Sequence, residues 1–494
     1  MGSKKLVKLL SLIIVLGLCI GGYIWIDKYQ SNKDKEDSED TSKVLIDTSK
    51  DSITEIKYTY DNKTVKLKYN SKDEEWYNSE HKSWPINQEY ITSMTNAITK
   101  VVATRQLDTE EELSEYGLDK PTVTVSYSTK KGKDYTINIG KDISSASANY
   151  CTVGDKKDVY LVENTIKTAF EYNEKKLIEV ESIPSLTSSL VYDVEAKGKD
   201  FNLKAKFDGD ITDSDSGEWI ITKPYKNTIK GMTSSFTDYL VNFESLSFEE
   251  CVDINPKKLS KYGLDKPTLS VALKYKAEKA TSSDSNSDDE DADDTKKEYT
   301  DKKYTLLIGK AIKTKYDEES EETISSYYAM LKGGDRVYTM DATSLENILK
   351  GRAFDFIFDA FNNTDLLQYK DLKITIDDKK YTIKKTRSEN DEGDVSVKYT
   401  FNKKKYSEAD GDEVYSGITE LIYAKDIGNK KINKDKTIAK FEYTGKKDGA
   451  KDTVIKVLNY DDNYYRVNQD GQEYFLVSKV DMDNAIKAIK NAVK

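Results

Sequence analysis

The heptapeptide YGLDKPT occurs twice in this chain, at residues 116–122 and 262–268. Seven identities in a row mark an internal duplication, and a duplicated sequence must fold as a duplicated structure. The flanks repeat as well. Residues 112–127 (ELSEYGLDKPTVTVSY) match 258–275 (KLSKYGLDKPTLSVALKY), DYTINIGK at 134–141 matches KYTLLIGK at 303–310, and 150–162 match 328–340. Any fold for this chain therefore has to be one module used at least twice.

Periodicity supplies the module's elements. Ile56, Tyr58 and Tyr60, then Val65, Leu67 and Tyr69, alternate with polar residues as half-buried strands of a hairpin do. Ile91, Met94, Ile98 and Val101 recur at helical spacing after Pro85, with Asn87 placed to cap the helix. Ile229, Met232, Phe236, Leu240 and Phe243 repeat that pattern after Pro224, and Trp76 and Trp219 fall on the last strand before each helix.

A diverged third copy follows. Leu372, Ile374, Ile376, Tyr381 and Ile383 predict its opening strands, and Val414, Ile418, Leu421 and Ile422 its helix. Residues 453–458, 464–467 and 473–477 predict a meander, and a closing helix spans about 481–493, apolar at Met482, Ile486, Ile489 and Val493. AKDIGNKKINKDK stands where YGLDKP would be. The expected fold class is α+β: tandem repeats of an antiparallel sheet packed with a helix. The repeats are placed at 44–180, 181–363 and 364–494, the second with an acidic, disordered insertion at 277–303.

Residues 6–26 are apolar except for Lys8. As a helix they would span roughly 31 Å, the thickness of a bilayer core. Lys4, Lys5 and Lys8 favour a cytoplasmic N-terminus (residues 1–5) and an extracytoplasmic remainder, with Tyr23, Trp25 and Tyr29 as the outer aromatic belt. The run ends in Tyr-Ile-Trp-Ile-Asp, a poor cleavage site, and Leu18 before Cys19 is wrong for a lipoprotein. One uncleaved transmembrane helix, a signal anchor, is expected, followed by a charged, flexible stalk at 27–43. The localisation expected is the cell membrane, single-pass.

The chain carries 88 acidic and 77 basic residues, a net charge of −11, and no basic stripe with interleaved aromatics. Such a surface repels a phosphate backbone, so no nucleic-acid partner is expected. Three cysteines, Cys19, Cys151 and Cys251, are too scattered for a metal site or a disulfide framework, and whether Cys151 and Cys251 pair is left open. The 35 tyrosines are consistent with biased codon usage, or with a glycan-facing surface.

Chemistry is sparse. His81, the single histidine, lies in a polar loop and is read as solvated; any histidine-based triad would have to use it. The acidic run from Asp284 fails as an EF-hand loop, with Asp289 where Gly and Thr295 where Glu are required. Residues 208–218 read as a hairpin tip. No nucleophile elbow, P-loop or dinucleotide fingerprint occurs. Tyr116, Gly117, Leu118, Asp119, Lys120 and Pro121, recurring as Tyr262, Gly263, Leu264, Asp265, Lys266 and Pro267, are the one candidate site. Asp119 and Asp265 could serve as paired acids. The physical alternative is a helix stop, with each Gly as a left-handed cap and Asp-Lys-Pro turning the chain into a strand. We take the motif as structural; catalytic, cofactor-binding and metal sites are all expected to be none.

These residues resemble the family of domain of unknown function 4340, whose hallmark is a YGLDKP-type motif, a strand with Ile-Gly (Ile139-Gly140, Ile308-Gly309) and a hairpin ending in Val-Tyr (Val159-Tyr160, Val337-Tyr338). The resemblance implies an N-terminal membrane segment and an accessory role to ABC transporters, including gliding-motility-type auxiliary subunits. The expected function is thus a non-catalytic, membrane-anchored extracytoplasmic accessory or scaffold protein, partnered by the bilayer and ABC transporter subunits. A cell-envelope module binding cell-wall polymer is the alternative, and a carboxylate-based hydrolase a third. The hydrolase reading predicts that Asp119→Asn with Asp265→Asn abolishes an activity; the structural reading predicts lost stability.

Overall fold

The computed structural model describes residues 42–494 except 108–110, 156, 200, 214–216, 280–296, 316–320, 359, 362–365, 390–394, 420, 429–435 and 446–451. The predicted anchor, and the stalk up to residue 41, lie outside the described residues. Among the described residues no helix is long and apolar enough to cross a membrane. The chain divides into two compact units, one ending at Val180 and one beginning at Glu181.

The first unit holds one nine-stranded sheet. Its strands are β1 (Lys43–Asp47), β2 (Ile53–Tyr60), β3 (Lys63–Asn70), β4 (Glu75–Asn78), β5 (Lys100–Leu107), β6 (Val123–Thr129), β7 (Asp134–Ile143), β8 (Ala148–Val153) and β9 (Val159–Glu163). Helix α1 (Gln88–Thr99) follows β4 and α2 (Thr165–Phe170) follows β9. The spatial order is β1-β5-β9-β8-β7-β6-β2-β3-β4.

The second unit holds two sheets. The first comprises β10 (Val191–Gly198), β11 (Asn202–Asp208), β12 (Glu218–Lys223), β13 (Ile229–Gly231), β14 (Cys251–Ile254), β15 (Leu269–Glu278), β16 (Tyr299–Thr314), β17 (Thr323–Leu331) and β18 (Arg336–Asp341), with α3 (Thr233–Leu240) and α4 (Ala342–Lys350). The other comprises β19 (Tyr369–Ile376), β20 (Lys379–Glu389), β21 (Val395–Phe401), β22 (Lys404–Tyr406), β23 (Lys425–Asp426), β24 (Thr437–Gly445), β25 (Thr453–Asn459), β26 (Tyr464–Gln469) and β27 (Gln472–Ser478), with α5 (Glu408–Thr419) and α6 (Lys479–Ala492). Their orders are β13-β12-β11-β10-β15-β16-β17-β18-β14 and β22-β21-β20-β19-β24-β25-β26-β27-β23.

Eight strands keep one order in all three sheets. The opening strand (β2, β10, β19) pairs with the strand after the motif position (β6, β15, β24), which puts the middle of each sheet together from distant parts of its module. The alternation predicted for the opening hairpin is present, with Ile56 and Tyr58 buried on β2 and Val65 and Leu67 on β3, and the central strands share it. Val123, Val125 and Tyr127 are buried on β6, as are Val271, Leu273 and Tyr275 on β15 and Ala439, Phe441 and Tyr443 on β24. Fully antiparallel sheets with one covered face explain this clean alternation.

A helix crosses that face in every module, because the chain must pass from one sheet edge (β4, β13, β22) to the other side (β5, β14, β23). On α1, Ile91, Met94 and Ile98 are buried, and Asn87 Oδ1 caps the helix by accepting from the Glu89 amide at 2.8 Å. The closing helix packs beside the crossing one: α2 on α1, α6 on α5, and α4 against the 3-10 turn Val241–Phe243 that continues α3.

Several expectations need correction. Val101, read as the last helical position, lies on β5, since α1 ends at Thr99. Ile229 is on strand β13, opposite Ile221, so Trp219 is one strand removed from its helix. Gly231 lets this strand run close beneath the helix, since a Cβ there would stand 2.5 Å from the Phe236 ring. Leu421 and Ile422 lie beyond α5. The 277–303 insertion is narrower than drawn, because Ala277 pairs with Thr300 and Glu278 with Tyr299 as ordinary ladder; residues 280–296 are outside the described residues. Lys43, assigned to the stalk, opens β1. β11 and β12 do pair as a hairpin, with Asp208 opposite Glu218 and Phe207 opposite Trp219; residues 214–216 lie outside the described residues.

Candidate functional site

The duplicated motif sits where the chain leaves β5, flanked outside only by β1, or the edge strand β14, and returns to the sheet's middle (β6 or β15). In the first copy the Leu118 amide donates to the Leu113 carbonyl at 2.9 Å and the Gly117 amide to Ser114 at 3.1 Å. In the second, Leu264 donates to Leu259 at 3.1 Å and Gly263 to Ser260 at 3.3 Å. This pair of bonds defines a Schellman turn, and Gly117 (φ +66°) and Gly263 (φ +71°) occupy its left-handed position. Each motif is a helix stop built on one turn of chain.

The turn then docks on the sheet. The Lys141 amide donates to the Tyr116 carbonyl at 2.9 Å, and the Lys310 amide to Tyr262 at 2.8 Å. The Ile-Gly pair on the strand now has a reason: a Cβ on Gly140 or Gly309 would stand 2.2 Å from that carbonyl oxygen. Thr122 and Thr268 close the far side, each hydroxyl donating to the carbonyl of that same glycine at 2.7 Å.

Side chains complete the dock. Tyr116, Leu118 and Val159 form a small cluster with Leu113 and Tyr150, and Tyr262, Leu264 and Val337 form its counterpart with Leu259 and Tyr328. The tyrosine pairs have ring centroids 4.8 and 5.0 Å apart. Tyr262 donates to Asp253 Oδ2 at 2.5 Å, and burial, then that bond, pushes its hydroxyl pKa up.

Asp119, Lys120, Asp265 and Lys266 are exposed. The turn is therefore held by Tyr, Gly and Leu, and the loss of stability expected from removing the aspartates does not follow from this geometry. In the third module the strand glycine is replaced. Leu458 follows Val457 as Gly140 follows Ile139, and Arg466 takes the place of Tyr150. A leucine there leaves no room for the docked carbonyl, so motif and strand glycine are absent together.

His81 is half-buried and stacked on Trp84 at 4.0 Å, with Glu174 Oε2 3.6 Å from its Nε2. It lies in a loop with its side chain 41% exposed, as the sequence reading expects, and also packs on an aromatic ring. Cys151 and Cys251 are free thiols, both buried. No group of three or more metal-binding side chains occurs among the described residues.

Sequence reasoning missed a cleft inside the second unit, between the sheets built on β10–β18 and β19–β27. Two isolated bridges mark it: Ile357 pairs with Gly231 on one side and Ala360 with Ile422 on the other. The Tyr225 hydroxyl donates to Asp426 Oδ2 at 2.7 Å, and its ring meets Tyr474 at 5.1 Å and Phe475 at 5.4 Å. Beside this junction opens a cavity of about 290 Å³, walled by Phe358, Phe361, Tyr369, Tyr423, Tyr474 and Phe475. Its polar lining includes Thr228, Lys230, Gln469, Asp470 and Gln472. No spacing rule links residues so far apart in the chain; the only hint was their aromatic richness.

The profile of a domain of unknown function, DUF4340, matches residues 76–267 and again 219–437. The chain belongs to this family. Each DUF4340 match opens on an equivalent tryptophan, Trp76 or Trp219, so the family unit is out of phase with the sheets. Both matches contain a complete docked motif, which makes the Schellman turn and its strand glycine the structural signature of DUF4340 here. No curated protein and no solved structure matches the chain.

Proposed function

We propose that the protein is a non-catalytic, membrane-anchored extracytoplasmic accessory protein that presents its repeated sheet modules to a membrane complex, with an ABC transporter as the leading partner class. One observation supports it most: the residues that define the family are consumed by folding. Tyr116, Gly117 and Leu118, with their repeats, are turn and packing residues, and the two aspartates of the motif point into solvent. What the duplication preserves is the docked turn within each sheet. The apolar segment at 6–26 supplies the tether and sets the sidedness.

Affinity capture from detergent-solubilised membranes tests the partner, and stoichiometric recovery of transporter subunits is the expected result. Protease added to intact cells tests the sidedness. Recovery of no membrane partner, or a folded region shielded from protease until the cells are lysed, overturns the reading.

A further inference from the structure

The aromatic cavity of the second unit goes beyond that accessory role, and we infer that it is a binding site for a neutral saccharide. Its volume, about 290 Å³, sits at the lower edge of the roughly 300–1,000 Å³ usual for small-molecule sites. Phe358 stands at its mouth, 36% exposed, while Phe361, Tyr423 and Phe475 form a buried floor. A large exposed aromatic at the lip of an aromatic-floored cavity offers flat faces whose negative charge density attracts the positive C–H edge of a ligand ring.

The polar groups decide the class. The Tyr423 hydroxyl donates to Gln469 Oε1 at 2.8 Å, which fixes that amide and leaves its two N–H donors without a partner among the described residues. Gln472, half-buried on the facing strand, makes no side-chain hydrogen bond among the described residues. The charges are already engaged: Asp470 Oδ1 accepts from the Val454 amide at 2.8 Å, and Lys230 pairs with Glu218 at 2.7 Å. An anionic polymer would find no free cation here and would face a chain of net charge −11.

Other ligands fit worse. An acyl chain would seal the Gln469 and Gln472 amides under hydrocarbon, at the cost of an unpaired buried polar group. A peptide strand would need a free ladder edge, yet Gln469 and Gln472 already face each other across the Asp470–Gly471 turn. A ring with an apolar face and a rim of hydroxyls satisfies both the aromatic walls and the two amides.

The test uses the full chain in detergent and saturation-transfer NMR with four neutral trisaccharides (chitotriose, maltotriose, cellotriose and xylotriose), with trigalacturonic acid as the charged probe and laurate as the acyl probe. At least one neutral sugar should receive saturation and the charged one should not. Phe358→Ala and Gln472→Ala, at partly exposed positions, should each weaken that sugar at least tenfold with an unchanged melting temperature. Silence from all four neutral sugars, undiminished transfer in both variants, or transfer to laurate or trigalacturonate alone would overturn the assignment. Transporter capture is a separate readout, so this can fail while the accessory role stands, and the reverse.

Discussion

Tyr225 donates its hydroxyl proton to Asp426, 2.7 Å away, and this bond ties the segment after β12 to the outermost strand of the third sheet. Tyr225 is buried, and burial, then the neighbouring carboxylate, push its pKa far above the usual phenol range. Tyr225→Phe keeps the ring contacts and deletes only the donor. We expect a loss of about 1.5–3 kcal/mol, the range for hydrogen bonds to charged groups, read from urea denaturation. Asp426→Asn should destabilise as well, since the carboxylate accepts from Tyr225 through Oδ2 and from the Gly428 amide through Oδ1, and an amide offers one acceptor oxygen in place of two.

Gly309→Ala places a methyl 2.2 Å from the Tyr262 carbonyl oxygen, where only backbone movement can relieve it. A loss of about 1–3 kcal/mol or more is expected, as for overpacked cores. Gly140→Ala should behave alike in the first unit. Asp265→Asn changes an exposed group and should stay within about 0.5 kcal/mol. A large effect of the aspartate with a small one of the glycine would reverse the assignment of roles within the motif.

Helix α4 begins at Asp341, whose carboxylate accepts from the Thr343 amide at 2.9 Å and the Ser344 amide at 3.0 Å. The Thr343 hydroxyl, then the Ser344 amide, hold its pKa below the ordinary aspartate value. A depressed folded-state pKa gives stability that is present above the unfolded value, near 3.9, and lost as pH falls through the folded one. Asp341→Ala should cost about 0.5–2 kcal/mol at neutral pH. The wild-type advantage should shrink below about pH 4, measured by melting temperature against pH.

Burial pushes the Cys151 thiol up to about 12. Unfolding restores an ordinary thiol near 8.5, so the unfolded chain loses its proton first. Stability is therefore complete below about pH 8.5 and declines as pH rises toward 12. Buried Tyr58, Tyr127 and Tyr304, all raised by burial, act in the same sense at higher pH. The thiols of Cys151 and Cys251 in a Cys19→Ser chain should resist a thiol reagent at pH 8 and react in full after guanidinium. Rapid labelling of the native protein would show that the sheets open locally.

Where one period dominated, the sequence was readable. The alternation on β2 and β3, the Asn87 cap and the recurrence of the module all come from local rules that tertiary contacts reinforce. Reading failed where two periods overlapped. Ile229 and Met232 are three apart, as on a helix face, yet Ile229 also alternates with Lys230 and Gly231 on a short strand. Val101 continued the helical spacing of Ile98 although β-branched Val101 and Val102 open a strand. The strand glycines were visible as part of IG pairs, but their purpose needed the docked carbonyl. The aromatic cleft was beyond any linear rule, because Phe358 and Phe475 come to line one cavity only after two sheets have formed.

Each sheet is completed by nine strands that follow one another along the chain, and none is lent to a neighbour. An in-frame gain or loss of a module would thus leave the surviving ladders whole. Copy number is then free to drift between relatives, one module at a time, while the local architecture of each sheet stays the same.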